Sequence, residues 1–335
     1  MTSPTVSTAS AVETANLTKT YKTGDGVKDL NLTIAPGSIF GFVGPSGSGK
    51  TTTIRLLTGV VAPTAGSAKV LGVDPLDFTA AERSRLGYLP QLSVLIPNLT
   101  VTQNLRFFNA LQGASGGSAR RRRAEVLEFV ELTGDGSKRV DQISGGMQRR
   151  LSLACALAHD PEVIFLDEPT AGIDPVLRRS VWDRFGELKD QGRTLFVTTQ
   201  YVGEAAYCDY VGVLSDGELL AVDTPRGLRY AALGGEVLDI EVAQPPTETT
   251  MRALADVLEA SKREMVTPTR IRLTVEDAGK AIPTATSWAE SHQLGLVEAE
   301  EYTPPFDDVF VSLIEDHRRR QETDARPEAE GHRDA

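Results

Sequence analysis

The sequence predicts an α/β fold in which a mostly parallel sheet is covered by helices on both faces. Short apolar runs alternate with amphipathic stretches, as at residues 38–43 and 52–57, and this alternation is typical of parallel strands joined by crossover helices. A glycine-rich loop joins these two segments, at a strand-to-helix turn of the kind where open α/β sheets bind ligands. The 335 residues allow this domain and a second, smaller one.

The loop has the pattern of a phosphate cradle. Its glycines let the backbone turn N–H groups toward one centre, and the next helix directs the positive end of its dipole there. Lys50 supplies a mobile charge for the β and γ phosphates, and the Thr51 hydroxyl suits Mg²⁺. A glycine-rich turn with an incidental lysine is the alternative, which the strand–loop–helix context disfavours. The predicted triphosphate loop is Gly44, Pro45, Ser46, Gly47, Ser48, Gly49, Lys50, Thr51 and Thr52.

Composition disfavours several functional classes. The net charge of −11 argues against a protein that coats nucleic-acid phosphates. No apolar run approaches the roughly 20 residues needed to span a bilayer, so we expect any membrane role to go through another chain. Cys155 and Cys208 have neither metal-ligand spacing nor a redox motif, and we predict buried thiols in a reducing cytoplasm. Residues 120–123 are four arginines, predicted to form a solvated face.

The order of apolar and polar segments predicts the domain boundaries. Residues 1–11 are predicted to be a disordered lead, and residues 12–230 the main domain, which begins with an antiparallel flap. A helical subdomain is predicted to be inserted at about residues 92–150. Residues 235–318 predict a small α+β domain without evident chemistry, and the charged residues 319–335 predict a disordered tail.

Two later motifs are candidates for ligand binding. Ser144, Gly145 and Gly146 precede an apolar helical segment, so they predict a second helix N-terminus open to an anion. Asp167 and Glu168 follow a continuous apolar run and are expected at the carboxyl end of a strand, where ligands bind in α/β sheets. A helix-capping acidic pair is the alternative for these two carboxylates.

These motifs, in this order, resemble those of an ATP-binding cassette (ABC) ATPase of the transporter type, most closely of the drug-efflux branch. The resemblance covers residues 16–223 and implies a P-loop NTPase sheet with an antiparallel β flap and an inserted helical subdomain. It makes residues 44–52 the Walker A loop and implies ATP and Mg²⁺ as cofactors. Less specifically, residues 302–310 resemble the end of the accessory domain that follows many drug-efflux and polysaccharide-export cassettes.

The resemblance also implies roles for single residues. Tyr21 would stack on the adenine, although the residue alone fits an ordinary packed tyrosine equally well. Gln91 would contact Mg²⁺ and sense the γ-phosphate, and Asp167 would be a second Mg²⁺ ligand. Glu168 would polarise the attacking water, and Asp174 would lie in the D-loop.

The implied partners are a second cassette and a separate permease. In the family the signature motif, here residues 144–148, completes the nucleotide site of another cassette, so the resemblance implies a dimer, expected to be a homodimer. An integral membrane permease would dock near residues 92–111, and no nucleic acid is expected. The implied function is to power the export of a small amphipathic compound from the inner face of the cell membrane, in the cytoplasm.

One residue departs from the family pattern. Where the pattern has a histidine after the last core strand, this chain has Gln200. A glutamine amide donates a hydrogen bond to phosphate, but it carries neither a proton for transfer nor a positive charge. We therefore expect slower turnover rather than none, and a position that simply tolerates glutamine is the alternative.

Gln200 also leaves a second functional hypothesis open, namely a slow-turnover, ATP-dependent regulatory switch without transport. A third hypothesis is a soluble cassette that acts on ribosomes or DNA. Such proteins usually carry two fused cassettes or a long inserted coiled coil, and this sequence shows neither.

Overall fold

The computed structural model describes residues 10–113 and 116–324. The chain divides into two compact units, Met1–Val222 and Asp223–Ala335. The accessory domain predicted at residues 235–318 lies within the second unit, whose first residue is Asp223. The second unit begins earlier because it includes a short amphipathic helix that packs on its last helix.

The two predicted disordered segments fall mostly on residues that the structure does not describe. Residues 1–9 and 325–335 lie outside the described part of the chain. Within it, Ala11 is buried, and the last helix continues to Asp324, past the predicted end of the accessory domain at residue 318.

The first unit contains two sheets. Its strands are, in chain order, β1 Val12–Thr20, β2 Gly26–Ile34, β3 Ile39–Val43, β4 Ala65–Val70, β5 Leu86–Leu89, β6 Val163–Asp167, β7 Thr194–Thr199, β8 Tyr210–Ser215 and β9 Glu218–Asp223. The larger sheet has the strand order β5-β6-β7-β3-β8-β9, and the pairs from β5 to β8 are parallel. The smaller sheet, β2-β1-β4, is antiparallel. The predicted parallel sheet and antiparallel flap are therefore confirmed.

The helices of the first unit follow the same alternation. They are α1 Lys50–Leu57, α2 Ala80–Arg83, α3 Val101–Leu111, α4 Gly116–Phe129, α5 Gly145–Leu157 and α6 Pro175–Asp190. Helices α3, α4 and α5 pack on one another and form the inserted helical subdomain. A capping box fixes the start of α3, because the Thr100 hydroxyl accepts from the Gln103 amide while the Gln103 side chain accepts from the Thr100 amide.

An aromatic cluster fills the centre of the larger sheet. The Phe196 ring centroid on β7 lies 5.5 Å from that of Phe40 and 5.4 Å from that of Phe42, both on β3. It lies 5.8 Å from the centroid of Phe165 on β6. Every residue of β3, β6 and β7 is buried, so these strands form a rigid platform and their carboxyl ends present the loops that follow.

The second unit is an α+β domain. Its elements are α7 Pro225–Leu233, β10 Glu236–Val242, α8 Glu248–Val257, β11 Lys262–Thr267, β12 Arg270–Val275, α9 Ala278–Ser291, β13 Leu296–Tyr302 and α10 Phe306–Asp324. The antiparallel sheet has the order β11-β12-β10-β13. Leu238 and Ile240 pack against α8 and α9, while Asp239 pairs with Arg272 on the opposite face.

Cys155 and Cys208 are both buried and free, and burial raises the pKa of the Cys155 thiol to about 12, so both thiols are unreactive in the folded protein. Across residues 10–113 and 116–324, none of the helices has the combined length and apolarity that crossing a membrane requires.

The aromatic cluster predicts a large stability cost for a truncation at its centre. We expect Phe196→Ala to lower the free energy of unfolding by about 3–5 kcal/mol, because it removes fully buried area and leaves a cavity. Phe107→Ala is the matched control, since that ring is 41% exposed, and it should cost about 1 kcal/mol or less. Denaturant midpoints measure both changes, and equal costs would contradict this account of the core.

Candidate active site

The loop between β3 and α1 needs glycine at three positions. A Cβ atom on Gly44 would lie 2.3 Å from the Leu214 carbonyl oxygen, and one on Gly49 would lie 2.6 Å from Val27. Gly47 and Gly49 have φ angles of 82° and 106°, in the left-handed region. The strand–loop–helix geometry predicted from the sequence is therefore present. Gly44 and Gly49 occupy the positions where the loop backbone approaches Leu214 and Val27 too closely for a side chain.

The start of α1 leaves hydrogen-bonding groups without protein partners. Gly49 is the N-cap of α1 and offers no side chain to its first amides, so these N–H groups are available to an anion. The Ser48 hydroxyl is buried and, within the described residues, has no hydrogen-bond partner. A buried polar atom without a partner calls for a ligand or water at that position.

Lys50 is buried beneath the same loop. Its ammonium donates to the carbonyl oxygens of Gly44 at 2.7 Å and Pro45 at 2.8 Å, and it lies 4.0 Å from a Glu168 oxygen. Burial lowers the pKa of Lys50, and the carboxylates of Glu168 and Asp167 partly oppose this shift. A full positive charge is thus held at the loop, close to two carboxylates.

Asp167 is fully buried at the end of β6. One carboxylate oxygen accepts a hydrogen bond from the Thr51 hydroxyl at 2.9 Å, and the other accepts from the Thr198 hydroxyl at 2.6 Å. This carboxylate therefore connects helix α1 with strands β6 and β7. The predicted pair Thr51 and Asp167 lies together, as two oxygen ligands of one cation require.

Glu168 adopts a backbone conformation that is unusual for its residue type. Its φ angle is 48°, in the left-handed region that non-glycine residues rarely adopt, and such strain clusters at functional sites. Its amide donates to the hydroxyl and the carbonyl oxygen of Thr198. Its carboxylate accepts a hydrogen bond from the Gln91 side-chain amide at 3.0 Å. The structure therefore places Gln91 at this end of the sheet, in contact with Glu168.

Arg149 on α5 was not singled out by any sequence pattern. Its guanidinium donates to backbone carbonyls on both sides of the site, at 2.7–3.2 Å, namely those of Pro90, Gln91, Asp167, Glu168 and Pro169. Burial lowers the pKa of Arg149, against the influence of the two carboxylates. The one available signal is the pair Arg149 and Arg150, which lies two residues after the glycine pair and directly before an apolar helical segment.

The Ser144 motif opens helix α5, as predicted. The Ser144 hydroxyl accepts from the Met147 amide at 3.2 Å and caps the helix. Gly145 and Gly146 have no atom within 4 Å of a hypothetical Cβ. Over residues 10–113 and 116–324, no hydrogen bond or ion pair joins this helix start to the loop between β3 and α1, so the motif is open to a partner.

Three other predicted site residues have contacts that do not by themselves indicate a nucleotide. Gln200 is exposed directly after β7. The Asp174 carboxylate caps α6 by accepting from the amides of Val176 at 3.1 Å and Leu177 at 3.0 Å. Tyr21 is half-buried with the Lys19 ammonium 5.5 Å from its ring centre. The roles expected for these three residues toward a nucleotide stay predictions.

Sequence comparison relates the chain to transporter subunits. Residues 27–171 match the family model described as ABC transporter. The linearmycin resistance ATP-binding protein LnrL of Bacillus subtilis (strain 168) is 31% identical over 306 residues, which are 90% of this chain and 97% of that relative. The probable multidrug ABC transporter ATP-binding protein YbhF of Escherichia coli (strain K12) is 38% identical over 233 residues, but this match spans only 40% of that relative's length.

Solved structures share the fold of the first unit. One, described as the ATP-binding subunit of an ABC transporter, aligns with a TM-score of 0.61 at 26% identity, covering 66% of this chain and 92% of that one. The ATP-binding cassette MJ0796, a dimer in a post-hydrolysis state with ADP and Pi, aligns with a TM-score of 0.58 at 32% identity, covering 64% and 98%. The chain therefore belongs to the ABC transporter family and carries its ATP-binding cassette.

Proposed function

We propose that this protein is the ATP-binding and hydrolysing subunit of a membrane exporter, and that it dimerises on ATP to drive a separate permease. The observation that carries the proposal is the convergence of Lys50, Asp167 and Glu168 at the glycine loop. The name of the relative LnrL, for linearmycin resistance, supports export, and the cargo that we propose is a small amphipathic compound. Its proposed place is the cytoplasm, at the inner face of the cell membrane.

The loop's geometry fits a Mg²⁺-bound triphosphate. The free amides at the start of α1, the unpaired Ser48 hydroxyl and the Lys50 ammonium would bind the phosphates. Thr51 and Asp167 would hold Mg²⁺, with Gln91 close by. In the described part of the chain no cluster of three acidic, histidine or cysteine side chains could hold a metal alone, which agrees with an ion that takes few protein ligands. When bound, Mg²⁺ offsets the charge of the β and γ phosphates.

Glu168 is the proposed base that activates water. Its strained backbone and the hydrogen bond from Gln91 fix the carboxylate 4.0 Å from the Lys50 ammonium. A general base in such a position contributes about 10²–10⁴ to a rate. Gln91 would hold this carboxylate before ATP binds and turn to the metal and γ-phosphate afterwards.

Gln200, Tyr21 and Asp174 complete the proposed nucleotide site. The exposed Gln200 would donate to the γ-phosphate in place of the family's histidine, and Tyr21 would stack on the adenine. Because the Asp174 carboxylate already caps α6, we propose that it acts by holding the D-loop backbone.

A second copy of the chain would supply the rest of each site. Ser144, Gly145 and Gly146 leave the start of α5 open, and a helix N-terminus of this kind attracts phosphate. The dimer of MJ0796 with ADP and Pi supports a paired arrangement of two cassettes.

An apolar groove beside α3 is the proposed docking site of the permease. The groove has a volume of about 310 Å³ and includes Val94, Leu95, Phe108 and Leu111. Leu92 is 81% exposed and Leu111 is 65% exposed, and exposed apolar groups of this size, when clustered, mark contact sites. Leu92 directly follows Gln91 in sequence. Docking there would therefore act on Gln91, whose side chain contacts Glu168.

The regulatory switch without transport is the second candidate, and Gln200 is its only support. Glu168, Lys50 and Asp167 keep the geometry that hydrolysis needs. The names of the relatives also describe a multidrug transporter and linearmycin resistance. We therefore place the exporter subunit first.

The close approach at Gly44 predicts a loss of ATP binding on substitution. Gly44→Ala would drive a methyl group into the backbone at Leu214. Overpacking of this kind costs about 1–3 kcal/mol, which corresponds to a loss of about fivefold to a hundredfold in affinity if binding bears the cost. Titration with a fluorescent ATP analogue measures the change. Gly186→Ala on α6 is the matched control, because open space surrounds that position and binding should not change. Equal affinities of both variants would refute the cradle geometry.

The proposed chemistry predicts opposite effects at two positions. We expect Glu168→Gln to lower steady-state phosphate release by about 10² or more, since the water loses its base. Gln200→His should raise the rate, by up to about tenfold, because a cationic donor returns to the γ-phosphate.

The outcomes separate the hypotheses. If Glu168→Gln releases phosphate at the wild-type rate, Glu168 is not the base that activates water. An unchanged rate in Gln200→His would show that Gln200 does not limit hydrolysis. ATP binding without any phosphate release in the wild type would favour the switch.

A further inference from the structure

A buried carboxylate lies beside the site without a role in the chemistry above. Glu204 is 3% exposed and belongs to the 3-10 turn Val202–Tyr207, which follows Gln200. One of its oxygens accepts from the Thr170 hydroxyl at 2.7 Å and lies 3.5 Å from the Nε of Arg178. These contacts connect the turn to Thr170 and to Arg178 of α6.

Arg178 connects this turn to the segment after β6. It lies in the second turn of α6, and its guanidinium donates to the Ile173 carbonyl oxygen at 3.4 Å. The same guanidinium lies over the Tyr201 ring, with its carbon 4.0 Å from the ring centre, a distance at which a cation and an aromatic ring attract. One side chain therefore contacts both the D-loop backbone and the residue after Gln200.

Gln200 lies between two anchored neighbours. Thr199 ends β7 and pairs with Val43 of β3, and the Tyr201 amide donates to the Thr199 hydroxyl at 2.9 Å. Tyr201 is held by Arg178, and its carbonyl oxygen accepts from the Glu204 amide at 3.0 Å. The direction in which the exposed Gln200 side chain leaves the backbone is thus set by the residues behind it.

We propose that Arg178 and Glu204 are positioning residues that fix the segment 200–201 relative to residues 170–174. In this arrangement the side chains of Gln200 and Glu168 would both contact the same γ-phosphate. The D-loop, residues 171–174, would move together with them. The proposal rests on the proposed function, because it concerns hydrolysis at that site. Arginine suits the position because its planar guanidinium stacks on a ring and donates hydrogen bonds at once, which a lysine ammonium does not.

The first test separates turnover from nucleotide binding. Arg178→Met and Tyr201→Leu should each lower kcat by about tenfold to a hundredfold, the cost of a misplaced catalytic group, while the ATP affinity stays within about twofold. Tyr201→Phe keeps the ring and should retain wild-type kcat. Arg178→Lys keeps the charge without the planar group and should be slowed as well. It provides a readable variant if Arg178→Met does not fold.

Arg85→Met is the control for loss of an arginine. Arg85 forms an exposed pair with Glu162 before the amino end of β5, the opposite edge of the parallel sheet from the site. Its kcat should equal that of the wild type. Melting temperatures of all variants, read alongside, exclude loss of the folded state as the cause of slow turnover.

A double-mutant cycle tests whether Arg178 acts through Gln200. In a Gln200→Ala background, Arg178→Met should cause little further loss of kcat, because the group it positions is gone. The charge-neutral pair Arg178→Met with Glu204→Gln should remain slow, since the ring contact is still missing.

Three results would overturn the positioning role. The first is that Arg178→Met lowers kcat as much in the Gln200→Ala background as in the wild type, and the second is that the charge-neutral pair has wild-type kcat. The third is that the wild type hydrolyses ATP and Arg178→Met has the same kcat. A wild type that releases no phosphate, with Glu168→Gln identical to it, overturns the proposed function and this role with it.

Discussion

The geometry of the site depends on the hydrogen bonds that Asp167 accepts from Thr51 and Thr198. The carboxylate is fully buried, and a buried charge without partners would be strongly destabilising. Two hydroxyl donors and the nearby Lys50 offset that cost. Because the donors come from α1 and β7, the same bonds fix the start of the phosphate-facing helix relative to two core strands.

The residues around this carboxylate are held in place in different ways. The glycine loop, Lys50 and Thr51 are held by close-packed backbone and buried bonds, so their positions require no rearrangement. Glu168 and Gln91 are held by each other, through one side-chain hydrogen bond. Such a bond exchanges readily for a bond to metal or phosphate, which suits the part of the site that must respond to ATP. Gln200 and Ser144, at the start of α5, are exposed, as the phosphate contacts that we propose for them require.

Much of this could be predicted from the sequence because the signals are local. The glycine loop, the Ser144 motif and the pair Asp167 and Glu168 are each a contiguous stretch of sequence. A buried apolar strand leads into the glycine loop (β3) and into the acidic pair (β6). Strand β11 gives no such signal, since nearly all its side chains are exposed. The start of the second unit at Asp223 gives no such signal either, because α7 packs on α10, which lies far along the chain.

The contacts that join distant segments were not predictable by the same route. Arg149 reaches residues 58 and 59 positions before it, and Arg178 reaches Glu204 across a strand. No spacing rule connects such residues, because their proximity arises only when the sheet assembles. The sequence pattern could therefore indicate candidate residues for nucleotide binding, whereas the side chains that hold those residues in place become evident only in the folded structure.

The most direct test concerns the metal dependence of nucleotide binding at Asp167. ATP affinity is measured with and without Mg²⁺ in the wild type and in Asp167→Asn, which keeps the size of the side chain but removes its charge. We expect Mg²⁺ to tighten binding by at least about tenfold in the wild type and to have almost no effect in Asp167→Asn. An equal gain from Mg²⁺ in both proteins would contradict the role assigned to this carboxylate.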